Sequence, residues 1–382
     1  MRFFHISDLH IGKKLREKDI SDDQVYILKE IIRLVDDHKP DGVLIAGDVY
    51  DRSVPPASAL NIFNDFITEL ETRDVKVFII SGNHDSPDRL QFAKDILSKS
   101  DVYIAGSFDG HLDKVTMEDE YGKVNVYMLP FIKPSSVANF YKDEVVDSYD
   151  KALRLVIDSA KIDTDERNIL ISHQFVTNLG KEPETSESES VRIGGLDNIE
   201  VSALDSFDYV ALGHLHKPQK VGRETVRYCG TPLKYSFSEA NHTKSVTMVS
   251  MEDKGKITIN KLPLTPLKDM YIIKDTLDNL LQKQEYTQYS DQYIYAIITD
   301  EEDLFDPIGQ LRSIYDNILL LEIENRKSQY INDDLAYEGD IKEKDPLELF
   351  KEFYFLQNNE EISDKQENIL MKTLDQLGGE PN

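Results

Sequence analysis

The chain has 382 residues, 40% of them hydrophobic and 30% charged, with a formal net charge of −27. That length and composition exclude a disordered tail and allow two or three domains, each with a packed core. No uninterrupted apolar stretch approaches the roughly 18 residues of a membrane span, no charged leader precedes the strand-like opening MRFFHISDLH, and the single cysteine, Cys229, permits neither an internal disulfide nor a thiolate metal cluster.

In chain order, RFFHIS reads as a strand, DDQVYILKEIIRLVDDH as an amphipathic helix, GVLIAGD as a strand, ASALNIFNDFITELETR as a second helix and VKVFII as a third strand. NILISH and DYVALG add two more short apolar runs ended by polar residues or glycine. Such continuous runs suit strands covered on both faces, which points to an α/β protein with these five in one parallel sheet. VNVYMLPF, ETVRYCG, KSVTMVSM and GKITINKL alternate more and lack intervening helices, so they are expected in a second sheet packed on the first. KEPETSESES, residues 181–190, is acidic and serine-rich with no apolar face, and reads as a mobile loop.

After LPLTPLKD the pattern restarts with a strand (YIYAIIT), a helix from Asp306-Pro307 and a strand (NILLLEIE), a small separate α/β module. Two capped helices follow. Asp345, Pro346 and Glu348 form an N-terminal capping pattern in DPLELFKEFYFLQ, and Ser363 with Gln366 repeats it in SDKQENILMKTLDQL. Leu347, Phe350, Phe353, Tyr354, Ile369, Leu370 and Leu374 give these helices apolar faces, to be buried on their own domain or on a partner. The expected divisions are 1–265, 266–340 and 341–382.

The candidate chemistry lies where the apolar runs end. RFFHIS leads into Asp8 and His10, GVLIAG into Asp48 and Asp51, VKVFII into Asn83, His84 and Asp85, NILIS into His173, and DYVALG into His214 and His216. In a parallel sheet these exits share the carboxyl edge, where ligands bind. Each motif alone is more often a turn or a surface pair. Together they gather most of the histidines: only His38, His111 and His242 lie clearly outside, with His5 in the opening strand and suited to the core. Carboxylates, imidazoles and one amide, without thiolate, suit divalent manganese, iron or zinc. The donors are too many for one ion, and two ions sharing a carboxylate would use them all, in the arrangement that activates water for phosphoryl displacement.

DLH, GDVYDRS, GNHD, SHQ and GHLH, in this order and spacing, resemble the signature of the calcineurin-like metallophosphoesterases. HISDLHIGK, DRSVPP and YCGTPLKYSFSE narrow the resemblance to the SbcD family of nuclease subunits, over nearly the whole chain. The resemblance implies a two-sheet metallophosphoesterase sandwich flanked by helices over 1–265, a capping domain over 266–340 and C-terminal docking helices over 341–382. It implies one metal on Asp8, His10, Asp48 and His216, and a second on Asp48, Asn83, His173 and His214, with Asp48 bridging. His84 would then be no ligand: it would face the scissile phosphate and stabilise the transition state or protonate the leaving oxygen. The Asp51 carboxylate would accept its other N–H; some relatives carry histidine at that position. Arg52 is a candidate phosphate contact with a structural pairing as its alternative, and Asp85 a supporting group.

The same resemblance implies manganese as the metal, DNA as substrate, an SbcC ATPase partner and a homodimer within a heterotetramer; the lack of a leader-like or membrane-span run reads as a cytoplasmic location. A stand-alone phosphoesterase for small esters is the alternative. The acidic balance fits a shared DNA site: residues from Pro266 onward carry 11 Lys and Arg against 27 Asp and Glu. Local basic groups remain at Lys13, Lys14, Arg16 and Lys18, and at Lys217, Lys220, Arg223 and Arg227.

Overall fold

A computed structural model describes residues 1–189 and 198–325, with short stretches between 347 and 371. The main elements are β1 (Arg2–Ile6), α1 (Ser21–His38), β2 (Gly42–Ala46), α2 (Ala57–Glu71), β3 (Lys76–Ile80), β4 (Val102–Ala105), β5 (Asp113–Asp119), β6 (Gly122–Leu129), α3 (Tyr149–Ser159) and β7 (Arg167–Ser172). They continue with β8 (Tyr209–Leu212), β9 (Gln219–Val221), β10 (Arg223–Tyr228), β11 (Ser245–Met251), β12 (Ile257–Pro263), β13 (Met270–Asp275), β14 (Tyr293–Ile298) and β15 (Asn317–Ile323).

Local sequence explains the first helices. Along α1, Ile27, Leu28, Ile31, Leu34 and Val35 recur at helical spacing and are buried. It ends where Lys39 turns left-handed ahead of Pro40, its N–H returning to Val35 O at 2.8 Å. Along α2, Ala59, Phe63, Phe66 and Leu70 form the buried stripe.

Two six-stranded sheets result, in the orders β12-β11-β1-β2-β3-β4 and β9-β10-β8-β7-β6-β5. β1 through β4 are parallel, as are β6, β7, β8 and β10. The single parallel sheet expected for the five apolar runs is therefore corrected: NILIS and DYVALG lie in the second sheet, whereas KSVTMVSM and GKITINKL extend the first. The reason is physical. Ile169, Ile171, Tyr209 and Ala211 face Phe3, Leu44, Phe78 and Ile80 between the sheets, while Leu170, Val210 and Leu212 are buried on the other face with Leu153, Val156 and Ile157 of α3. A continuous apolar run records that both faces are covered; it does not record which sheet the strand joins.

The chain divides into two compact units, Met1–Ile272 with Asp291–Tyr295, and Ile273–Ser290 with the chain from Ala296 onward. In the second, Ile273, Leu277, Leu280, Ile298, Leu311 and Tyr315 are buried, and a helix starts at Pro307 with the Asp306 carboxylate accepting the Gly309 N–H at 3.1 Å. The strands expected at YIYAIIT and NILLLEIE pair in the three-stranded sheet β13-β14-β15, to which β13 is an unexpected addition. In the tail, Ser363 N–H donates to Gln366 Oε1 at 3.0 Å, and residues 365–367 and 369–371 are helical. Asp345, Pro346, Glu348, Phe353 and Leu374 lie outside the described residues. No helix among the described residues is long and apolar enough to cross a membrane.

Candidate active site

The two sheets bring their strand ends together. Asp8 and His10 follow β1, Asp48 follows β2, and Asn83 and His84 follow β3; His173 follows β7, and His214 and His216 follow β8. Asp8, His10, Asp48 and His214 all have positive φ, at 52°, 42°, 49° and 105°. Such backbone is costly for residues other than glycine and gathers where function needs a side chain held in one direction. The turns lock one another: Asp8 N–H donates to Gly47 O and His10 N–H to Asp48 O, both at 3.0 Å, and His214 N–H donates to the Asp8 carboxylate at 3.0 and 3.1 Å.

The glycines ahead of the polar residues are required by space. A Cβ on Gly82 would lie 2.1 Å from Asp48 Oδ1, and one on Gly213 would lie 1.9 Å from Ala46 O. Any other residue would push the strand ends apart.

All seven expected metal ligands converge, in two groups. In the first, His10 Nε2 and His216 Nε2 lie 3.2 Å apart with Asp8 beside them. In the second, His173 Nε2 lies 3.1 Å from Asn83 Oδ1, 3.3 Å from Asp48 Oδ2 and 4.0 Å from Asp8 Oδ1, and His214 Nδ1 lies 3.0 Å from Asn83 Oδ1. Asp48 reaches both groups, since its Oδ2 is also 3.8 Å from His10 Nε2.

His173 Nδ1 donates to Ala46 O at 2.7 Å, which leaves Nε2 to present its lone pair to three acceptor oxygens. Acceptors converging on acceptors in a buried site call for a cation. Without an ion, protons supply the charge: burial raises the Asp8 pKa to about 7, and His173, which burial alone would keep neutral, is raised to about 9 chiefly by Asp48. Asp48 is held below the usual carboxylate range because His173 and His10 outweigh the effect of burial. The donor set and its electrostatics therefore fit divalent ions.

His84 stands at the edge of this cluster. Its N–H donates to Asp48 Oδ1 at 2.9 Å, and its ring meets the His10 ring at right angles, centroids 4.9 Å apart. Its Nδ1 donates to the main-chain carbonyl of Asp51 at 2.9 Å. The expectation that the Asp51 carboxylate accepts this proton is corrected: that carboxylate is drawn off by the Lys13 ammonium at 3.0 Å and lies 3.7 Å from His10 Nδ1. Arg52 is exposed, its Nε 3.6 Å from Asp51 Oδ2. Asp85 is a buried clamp, its carboxylate accepting the N–H groups of Val49, Tyr50 and Gly82 at 3.1, 2.9 and 2.9 Å. Cys229 is buried, with its sulfur 3.0 Å from Ser7 Oγ.

Sequence reasoning missed the support behind His216. Ser188 Oγ lies 2.6 Å from His216 Nδ1 and 2.6 Å from Glu239 Oε1, and Glu189 accepts the His216 N–H. Lys244 Nζ, buried, bonds Glu239, Thr231 and the His216 carbonyl. The segment read as a mobile loop is docked in its described part: Glu184 exchanges hydrogen bonds with the Gln219 side chain, and Glu187 N–H donates to Ser238. The signal available was YCGTPLKYSFSE, which ends at Glu239.

The calcineurin-like phosphoesterase pattern matches residues 1–218, and a second pattern, described as Type 5 capsule protein repressor C-terminal domain, matches 266–358. The SbcD chain of nuclease SbcCD from Staphylococcus epidermidis is 30% identical over 386 residues, covering 99% of this chain and 100% of that protein. Among solved structures, a dimetal phosphatase from Danio rerio aligns with TM-score 0.41 and 11% identity, over 68% of this chain and 95% of that one. TT1561 of Thermus thermophilus aligns with TM-score 0.39 and 13% identity, over 68% and 98%.

Proposed function

The chain belongs to the calcineurin-like phosphoesterase family, in the SbcD branch of nuclease subunits, and we propose that it is a two-metal DNA nuclease subunit hydrolysing phosphodiester bonds at DNA ends and hairpins, with an SbcC ATPase, in the cytoplasm. The observation that carries this reading is the convergence of seven buried or half-buried metal-ligand side chains with His84 beside them. Asp8, His10, Asp48 and His216 would hold one ion and Asp48, Asn83, His173 and His214 the other, with manganese the metal favoured and iron or zinc its competitors. Bound ions would supply an activated water and neutralise charge developing on the phosphoryl group.

The chain's own residues do the rest. His84, held through Nδ1 by the Asp51 carbonyl, keeps Nε2 for the leaving oxygen; as the imidazolium, with a proton on each ring nitrogen, it stabilises or protonates that oxygen. Asp51 thus positions through its main chain, and its carboxylate anchors Lys13. Arg52 lines, with Lys13, Lys14 and Arg16, a groove of about 680 Å³ that also reaches Asp51. That run of cations suits a sugar-phosphate backbone.

Pairing of two copies is supported by Phe92 and Ile96, 79% and 69% exposed shortly after the His84 turn. Residues 341–382 are the proposed dock for SbcC, and 266–340 the proposed cap.

The test is cleavage of a labelled duplex and a labelled hairpin with manganese, with and without the ATPase partner and ATP, beside a small chromogenic phosphodiester. Asp48→Ala, which removes the carboxylate shared by both groups, should abolish turnover on every substrate. Duplex-end cutting that needs Asp48, partner and ATP supports the reading; activity confined to the small ester would replace it with a stand-alone phosphoesterase.

A further inference from the structure

Among the described residues, His216 is the one expected ligand whose ring is held by a chain of side chains from two distant segments. Glu239 is fully buried and accepts from Ser188 Oγ at 2.6 Å, from Tyr235 N–H at 3.2 Å and from Lys244 Nζ at 2.5 Å. So many donors on one carboxylate define it as the anionic acceptor. The Ser188 hydroxyl proton must therefore point at Glu239, because two bare oxygens 2.6 Å apart would repel. The Ser188 oxygen can then only accept from His216, so His216 carries its proton on Nδ1 and bares Nε2 toward His10 Nε2. Lys244, bonded to the His216 carbonyl at 2.9 Å, ties the same carboxylate to the backbone that follows β8.

We propose that Ser188 and Glu239 form a positioning relay that fixes the tautomer and orientation of His216 for metal binding, so that the acidic segment ending at Glu189 acts as a strap completing one of the two metal sites. The proposal rests on the metal-site reading above and adds to it a residue pair from outside the five strand-end motifs. A hydroxyl between a carboxylate and an imidazole passes on the carboxylate's pull on the Nδ1 proton, which strengthens Nε2 as a ligand and stops the ring from flipping.

The test is manganese titration of the metal-free full chain, followed by calorimetry and electron paramagnetic resonance, without DNA. Ser188→Ala should weaken one of the two sites by about 10- to 100-fold, leave the other at its wild-type affinity and leave the melting temperature unchanged. Ser188→Thr, which keeps the hydroxyl, should restore the weakened site. Glu239→Gln should weaken the same site, and because it also strips Lys244 of its partner, Ser188→Ala remains the deciding variant. Wild-type affinity at both sites in Ser188→Ala, or equal loss at both together with a lower melting temperature, would overturn the relay. A wild-type chain that binds no manganese would overturn the two-metal reading itself.

Discussion

Asp8, His10, Asp48 and Asn83 leave the first sheet through turns that bond to one another, and Asp85, two residues beyond Asn83, gathers three N–H groups from the Asp48 and Gly82 turns. His216 leaves the second sheet and is held instead by Ser188, Glu189, Glu239 and Lys244, up to 28 residues away along the chain. One half of the site is braced largely by its own motifs, with Gln24 of α1 and the Tyr235 hydroxyl bonding the His10 and Leu9 carbonyls from outside. The other half borrows its support, so its integrity depends on segments that carry no metal-ligand chemistry themselves. Damage to the first half should therefore spread through the site, and damage behind His216 should stay at one ion.

His84 gives the largest effect and separates chemistry from assembly inside the first half. It touches Asp48 through its backbone N–H, which any residue supplies, and its ring is bonded to the Asp51 carbonyl outside the ligand cluster. His84→Gln should lower turnover by about 10²- to 10⁴-fold while elemental analysis finds both ions. Loss of an ion would make His84 a ligand and enlarge the first half. Asp85→Ala comes next. It leaves three N–H groups without their acceptor, at a cost of about 3 kcal/mol or more in unfolding free energy, and should weaken both ions together. Loss at a single ion would break the contrast with His216.

The strand-end motifs were legible because each ligand is among the first polar residues after a run of buried apolar ones, and period and polarity are local properties. What was not legible was long-range. Lys244 and Glu239 are charged residues in a polar stretch and look like surface, although both are buried as a pair. Ser188 and Glu189 sit in a segment whose composition favours disorder, yet they find partners on His216 and Glu239. The assignment of NILIS and DYVALG to the sheet of the first three runs failed for the same reason: burial on two faces leaves the same pattern in a sandwich as in an open sheet. The Asp51 carboxylate was misplaced because its competitor, Lys13, comes from a different turn.

The joint between the halves lies beneath the site, where His5 on β1 bonds the Tyr209 hydroxyl on β8 at 2.9 Å. His5 is fully buried, its cross-strand neighbour is Thr247, and its pKa is lowered to about 3 by burial and then by the Arg227 charge. Unfolding returns it to an ordinary histidine near 6.5, so below that pH the unfolded chain binds a proton that the folded chain refuses. The stability that a neutral His5 confers is whole above pH 6.5 and is lost as pH falls toward 3, about 2 kcal/mol of it between pH 6.5 and 5. His5→Gln can still bond Tyr209 but has no proton to refuse. In urea unfolding with chelator present, to remove metal linkage, its stability should fall by about 2 kcal/mol less than the wild type over that interval. Parallel pH profiles would mean that His5 finds a way to charge in the folded state, and that the joint between the sheets is wetter than its burial implies.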